Sequence, residues 1–177
     1  MSAAAAPLIL MSIAAPLGAF DVLYFHIYKY KLYRHRHSLL ENVTHFVRGL
    51  LFATVAFLLT RYEPLGIWYW VVTGLIALDF LNNVADVILE PRSRAPLGGL
   101  PPLEYVIHII GSTFSGLIGA TWVLVGAPLA DAPTALAPAH DLPAWLVLNG
   151  HMLYIGAILM FLFELTLLIR ARRLSPG

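Results

Sequence analysis

The chain has 177 residues, of which 59% are hydrophobic and only 12% are charged, and its mean hydropathy is +0.78. In soluble domains roughly a quarter of the residues are charged, so this composition predicts an integral membrane protein. A net charge of +1 with few basic residues gives no footprint for nucleic acid. The sequence has no cysteine, which excludes disulfides and thiolate ligands, so any bound metal must take nitrogen and oxygen ligands.

Five segments have the length of about 20 apolar residues that a membrane-spanning helix needs. They cover residues 7–28, 38–60, 66–89, 102–126 and 142–169. The sequence therefore predicts an all-α membrane protein in which residues 1–177 form a single transmembrane helical bundle. The Pro- and Ala-rich stretch 127–143 is expected to be an irregular cap.

An internal similarity links the two halves of the chain. The sequence L-E-N-V-T-H at 40–45 is similar to L-E-Y-V-I-H at 103–108, and D-V-L at 21–23 is similar to D-V-I at 86–88. This similarity predicts a duplicated two-helix hairpin to which a fifth helix has been added.

The distribution of basic residues predicts the orientation in the membrane. The stretches after helices one, three and five hold nine of them, namely Lys29, Lys31, Arg34, Arg36, Arg92, Arg94, Arg170, Arg172 and Arg173. The opposite side holds only Arg61. By the positive-inside rule, the N-terminus is outside and the C-terminus is cytoplasmic.

Ionisable side chains recur within the apolar segments at helical spacing. Glu41, His45 and Arg48 form one stripe of helix two, and Glu104 and His108 form a matching stripe of helix four. Further polar residues in helices three and five are Asp79, Asn83, Asp86, Glu90 and Glu164. Each charge costs roughly 2.5 to 3.5 kcal/mol in a bilayer, so these side chains are expected to face the bundle interior.

The depths of these residues converge on one end of the bundle. A rise of about 1.5 Å per residue places the polar side chains of all five helices in the cytoplasmic leaflet, which predicts a site there. Asp21 and His26 are five residues apart, about 140° around an ideal helix. They can share that site only if helix one bends or frays near Tyr24.

The two Glu-x-x-x-His pairs resemble the ligand pattern of carboxylate-bridged two-metal bundles, in which the spacing is three. Carboxylate and imidazole ligands without thiolate suit iron, manganese or zinc, and we favour iron. The candidate ligands are Glu41, His45, Asp86, Glu104 and His108, with Asp21 and His26 as further candidates. A metal-free polar site and a structural salt-bridge network remain open alternatives.

Arg48 also has two interpretations. It can anchor an anionic lipid head or another anionic substrate group, which would make it a substrate-binding residue. Alternatively, it can form a salt bridge with Asp79 or Asp86.

The leading functional hypothesis is a metal-dependent membrane oxidoreductase or hydrolase that acts on a lipid-like or quinone-like substrate near the cytoplasmic leaflet. A second hypothesis is a haem b subunit of a respiratory complex, with ligands among His26, His45, His108 and His151. An ion or proton carrier and a structural subunit are further alternatives. The expected partners are membrane lipid and other membrane subunits or a second copy.

Three motifs carry a family resemblance. The motifs are F-D-V-L-Y-F-H at 20–26, E-x-x-x-H-x-x-R at 41–48, and D-V-I-L-E-P-R-S-R at 86–94 followed by L-P-P-L-E-Y-V-I-H at 100–108. They resemble uncharacterised bacterial multi-pass membrane proteins with the pattern FDxLYYH, ExxxHxxR and EDRTRxLPxxExxxH. The chain differs at Ile27, where the pattern has Glu, and at Pro91, where it has an acidic residue. The resemblance implies the bacterial inner membrane and no particular reaction.

Overall fold

The computed structural model describes residues 2–139 and 141–174, which are helical apart from two short strands. Helix α1 (Ala5–Phe20) continues directly as a π-helical segment (Asp21–Lys29), here called the π segment. The other elements are the 3-10 turns Leu32–Arg34 and Arg36–Ser38, α2 (Leu39–Arg61), β1 (Tyr62–Leu65), α3 (Ile67–Arg94), the 3-10 turn Ala95–Leu97, α4 (Pro102–Ala130), β2 (Ala135–Pro138) and α5 (Ala144–Leu174).

All five predicted spans are present as helices. The stretches Ala5–Lys29, Arg36–Arg61, Ile67–Leu97, Pro102–Ala130 and Ala144–Arg173 are each long and apolar enough to cross a membrane. Their outward surfaces carry large apolar side chains, such as those of Ile88, Leu124 and Met152. Such a surface is compatible with a multi-pass membrane protein, since lipid is the solvent that tolerates it. The duplication of the hairpin stays a prediction.

The helices pack as a closed ring. α2 lies between α3 and α5, α4 packs against α3 and α1, and contacts between α1 and α5 complete the ring. α1 and α2 touch each other only slightly, although the sequence predicts them as one hairpin. Each helix therefore presents one stripe to a common interior, where the stripes of all five can meet.

A two-stranded sheet covers one end of the bundle. β1 pairs antiparallel with β2, with Tyr62 opposite Pro138 and Leu65 opposite Ala135. The expectation of an irregular cap over 127–143 is thus wrong in part, because α4 extends to Ala130 and the following stretch forms β2. At the other end, Pro102 begins α4 at the first helical position, where its missing N–H costs nothing.

The apolar core fills the half of the bundle near this sheet. Its buried side chains include Leu8, Met11, Val55, Leu59, Val72, Trp122, Leu146 and Leu153. Trp122 stacks on Tyr69 with ring centroids 5.3 Å apart, and its indole N–H donates to the Thr73 hydroxyl at 3.0 Å. The interior is therefore divided lengthwise, with the apolar core in one half and the ionisable residues in the other.

The closest packing of α2 against α5 yields a first prediction. A methyl group at Gly150 would overlap the Thr60 side chain, whereas one at Gly156, on the same helix, meets nothing within 4 Å. Gly150→Ala should destabilise the protein by about 1 to 3 kcal/mol, as overpacked interiors do. Gly156→Ala should be neutral or should stabilise it by up to about 1 kcal/mol, because alanine favours helix. Thermal unfolding of the two variants in detergent measures this difference, and equal effects would contradict the packing of α2 on α5.

Candidate metal centre

The second half of the interior is filled by ionisable side chains from all five helices. The buried members are Asp21 and His26 of the π segment, Glu41 and His45 of α2, Asp86, Glu90 and Arg94 of α3, Glu104 of α4 and Glu164 of α5, and His108 of α4 is nearly buried. We call this set the polar centre. Burying charges is costly unless they are paired or bind a metal, so each member requires a partner.

The π segment brings Asp21 and His26 to the same side of their helix. A π-helix bonds residue i to residue i+5, which widens the turn and aligns residues five apart. The bond from the Tyr30 N–H to the Phe25 carbonyl, at 2.9 Å, has this spacing. His26 Nε2 lies 3.4 Å from Asp21 Oδ2, and both side chains are buried. The distortion that sequence reasoning required near Tyr24 is therefore present.

Arg94 is the cation at the middle of the polar centre. Its Nη1 lies 2.7 and 2.9 Å from the two carboxylate oxygens of Glu41, and its Nη2 is ion-paired with Glu104. The expectation that Arg94 lies beyond the end of helix three is wrong, because α3 continues past Pro91 to Arg94 and this side chain is completely buried. The sequence feature that could have placed Arg94 in the interior is its spacing. Arg94 follows Asp86 by eight residues and Glu90 by four, so it extends their stripe on the helix.

His108 lies between two carboxylates from other helices. Its Nε2 is 3.0 Å from Asp21 Oδ2, and its Nδ1 is 2.5 Å from Glu90 Oε1. Histidines that bind metals are usually oriented by a carboxylate on the other ring nitrogen. Glu90 is placed to orient His108 in this way, while Nε2 faces the interior and Asp21.

His45 is held on the other side of the polar centre. Its Nε2 lies 3.4 Å from Asp86 Oδ2, and the Thr44 hydroxyl donates to Asp86 Oδ1 at 2.5 Å. The rings of His45 and His26 have centroids only 4.1 Å apart. Asp86 thus contacts His45. His26 lies against the His45 ring and also contacts Asp21, which is the partner of His108.

Arg48 belongs to a separate polar layer nearer the middle of the bundle. Its guanidinium donates to Asn83 Oδ1 at 2.6 Å and to the Ser115 hydroxyl at 3.2 Å. Within residues 2–139 and 141–174, Arg48 forms no ion pair with Asp79 or Asp86. The direct salt bridge of the second interpretation is therefore not formed, and the hydrogen-bond partners of this cation are uncharged, while Asp79 lies within its electrostatic range.

Two groups of side chains have the geometry to hold a metal ion. One consists of Asp21, His26, Glu104 and His108, and the other of His26, Glu41 and His45; within each, one ligand atom per residue lies within 4.8 Å of the others. Six of the seven predicted ligands are thus in a group. Asp86 is in neither and instead lies beside His45. The two Glu-x-x-x-His pairs do not form one common set, because His26 joins each of them separately.

Buried polar atoms without a hydrogen-bond partner support the interpretation of these groups as metal sites. Asp21 Oδ1, His26 Nδ1, His45 Nε2 and Glu104 Oε2 have no hydrogen-bond partner within the described ranges. Glu41 Oε1 and Glu90 Oε1 also lack a well-aligned hydrogen bond, but they lie 2.7 and 2.5 Å from Arg94 and His108 nitrogens, so we count them as paired. Buried polar atoms are rarely left without a partner. Asp21 Oδ1 and Glu104 Oε2 are carboxylate oxygens suited to a cation. His45 Nε2 lies 3.4 Å from Asp86 Oδ2, and the buried Arg94 Nε–H, which also lacks a partner in this part of the chain, cannot bind a cation.

The charge balance points the same way. The polar centre contains six carboxyl groups, namely Asp21, Glu41, Asp86, Glu90, Glu104 and Glu164, but only one guanidinium. Even with His26, His45 and His108 all charged, these histidines and Arg94 make four positive groups against six carboxylates, so additional positive charge stabilises the set. A bound metal cation would supply that charge.

Comparisons of the chain with family models, with curated proteins and with solved structures gave no match in any of the three.

The burial of Arg94 gives a prediction with a close control. Arg94→Gln leaves Glu41 and Glu104 buried without their cation and should destabilise the protein by about 3 to 5 kcal/mol. Arg92→Gln removes an exposed arginine from the same helix and should have almost no effect. Thermal unfolding in one detergent compares the two variants. Equal stability would show that Arg94 is not the internal cation.

Proposed function

We propose that the protein is an integral membrane metalloprotein that binds one transition-metal ion through Asp21, His26, Glu104 and His108. The observation that carries this proposal is the four-ligand group itself. Asp21 and Glu104 each have a buried carboxylate oxygen without a partner among the described residues, His26 directs Nε2 toward both carboxylates, and His108 is oriented by Glu90. Its two carboxylates and two imidazoles come from the π segment and α4. This combination is a common one for divalent transition metals.

Iron is our preferred metal, ahead of zinc and manganese. Mixed oxygen and imidazole ligands without sulfur suit all three ions. The preference for iron therefore rests on the redox chemistry that we expect of a membrane enzyme with a quinone-like or lipid-like substrate. Bound iron would supply redox chemistry, whereas zinc would activate water for hydrolysis. We propose a metal-dependent oxidoreductase rather than a hydrolase.

Arg94 favours one metal ion over two. It pairs with Glu104 of the four-ligand group and with Glu41 of the three-ligand group, so it lies between them. Two unit charges 4 Å apart repel by about 4 kcal/mol at an effective dielectric constant of 20, and a divalent ion doubles that value. Because Arg94 pairs with both carboxylates, this repulsion acts on an ion in either group, and a second ion at Glu41 would add the same cost again.

Haem b is less well supported. Two histidines that bind haem need space for the porphyrin between their rings, but those of His26 and His45 are 4.1 Å apart. The pocket that adjoins His26 has about 10 Å³ of space, enough for about one water molecule.

We propose the cytoplasmic leaflet of the bacterial inner membrane as the location, with the N-terminus outside. The support is the distribution of lysine and arginine and the resemblance to bacterial membrane proteins. An amphipathic, lipid-like or quinone-like substrate suits a centre enclosed by apolar helices. Arg48 supports an anionic substrate group, because the side chains that it hydrogen-bonds, among the described residues, are the uncharged Asn83 and Ser115.

Metal analysis of purified protein tests the proposal directly. Wild type should hold about one metal ion per chain, and His108→Ala and Glu104→Gln should lose most of it, because each removes a ligand. His151→Ala is the matched control. His151 lies on α5 and binds the Val147 carbonyl at 2.7 Å, so its loss should leave the metal content unchanged.

A metal-free wild type after gentle purification would refute the metalloprotein. A visible haem spectrum that disappears in His26→Ala would instead favour the haem subunit.

Glu90 yields a separate prediction because it contacts His108 and not the proposed ion. Glu90→Gln should weaken metal affinity by about 10- to 100-fold while the metal-to-protein ratio at saturation stays the same. Titration with a competing chelator measures the affinity. Loss of metal even at saturation would mean that Glu90 is itself a ligand.

A further inference from the structure

A small pocket lies between His26 of the polar centre and the partly exposed residues Ile27, Tyr33 and Leu167. It is lined by His26, Ile27, Tyr33, Asn42, Glu164 and Leu167. These residues come from the π segment, the turn after it, α2 and α5, so the pocket lies at a junction of three helices and a loop. His26 belongs to both candidate ligand groups, and the pocket therefore ends at the proposed metal site.

Two residues that line this pocket, Glu164 and His26, have polar atoms without a partner among the described residues. Glu164 is 9% exposed and forms no ion pair or side-chain hydrogen bond with any residue that the structure describes. His26 is 2% exposed, and its Nδ1 has no partner in the same part of the chain. Its Nε2 faces Arg94, Asp21 and Glu104 in the polar centre. His26 thus directs Nε2 toward the candidate ligand groups, while its Nδ1 has no partner among the described residues.

We infer that this pocket is the route by which the metal ion enters and leaves the polar centre, and that Glu164 binds the ion transiently on the way to His26. The inference rests on the proposed metal site. A divalent ion that sheds water in an apolar bundle needs replacement ligands at each step, and carboxylate followed by imidazole supplies them. Glu164 is a positioning residue for entry and not one of the four ligands.

The size of the pocket decides what can use it. Its space of about 10 Å³ admits one water-sized particle, which excludes a lipid or quinone chain. An amphipathic substrate must therefore approach from another side. Asn42, whose amide binds the Leu32 and Ser38 carbonyls, fixes the turn that forms one wall of the pocket.

The kinetics of iron release test this route. Purified full-length protein in detergent is loaded with Fe²⁺, and release is followed by the colour of the chelator ferrozine. Glu164→Gln and Leu167→Trp should each slow release by about tenfold, which corresponds to about 1.4 kcal/mol in the barrier. Ile169→Trp, which places the same bulk on an exposed position of α5, should release iron at the wild-type rate.

The metal content at equilibrium separates this inference from the proposed function. Slower release with an unchanged iron-to-protein ratio supports the route. Wild-type rates in both Glu164→Gln and Leu167→Trp, with iron still bound, overturn the route and leave the metal site intact. Loss of bound iron in Glu164→Gln would make Glu164 a permanent ligand and would also overturn the route. A wild-type protein that binds no Fe²⁺ overturns both.

Discussion

The ion pairs of Arg94 are the interaction on which the polar centre depends. This side chain is completely buried and contacts Glu41 of α2, Glu104 of α4 and His26 of the π segment. A buried arginine with two carboxylates fixes the distance between three helices, since moving any one of them would leave a charge without a partner. The same cation affects the electrostatics of the candidate metal site, because it pairs with two of the six carboxyl groups but offsets only one negative charge, which leaves an excess of negative charge beside His26 and His108.

The π segment is the second structural condition for this centre. An α-helical turn would direct Asp21 and His26 to different sides of the helix. The four-ligand group would then lose one of these two members. π-helical turns are rare and occur frequently at functional sites. Here the wider turn places Asp21 against His108 and His26 against Arg94 in the same layer. Local backbone distortion in one helix thus brings its two ligands to those of α4.

Sequence reasoning predicted the five helices and most of the polar centre, because both follow from local pattern. Length and hydropathy define the spans, and the spacing of Glu41 with His45 and of Glu104 with His108 defines their inward stripes. It failed at Arg94 and Arg48, whose partners depend on the packing of helices far apart in the chain. Pro91 and the neighbouring arginines suggested that α3 ends early, and only the burial of Glu90 and Arg94 shows why it continues. The pairing of β1 with β2 is likewise set by contacts between distant segments.

The central claim is that Asp21, His26, Glu104 and His108 bind a single transition-metal ion. X-ray absorption at the iron edge of the purified protein tests it most directly, because the fine structure reports the ligand atoms. The account predicts only nitrogen and oxygen neighbours at about 2.0 to 2.2 Å, with the outer-shell scattering of two imidazoles and no metal neighbour. A porphyrin signature, a metal neighbour at about 3.5 to 4 Å or a shell without imidazole would contradict it.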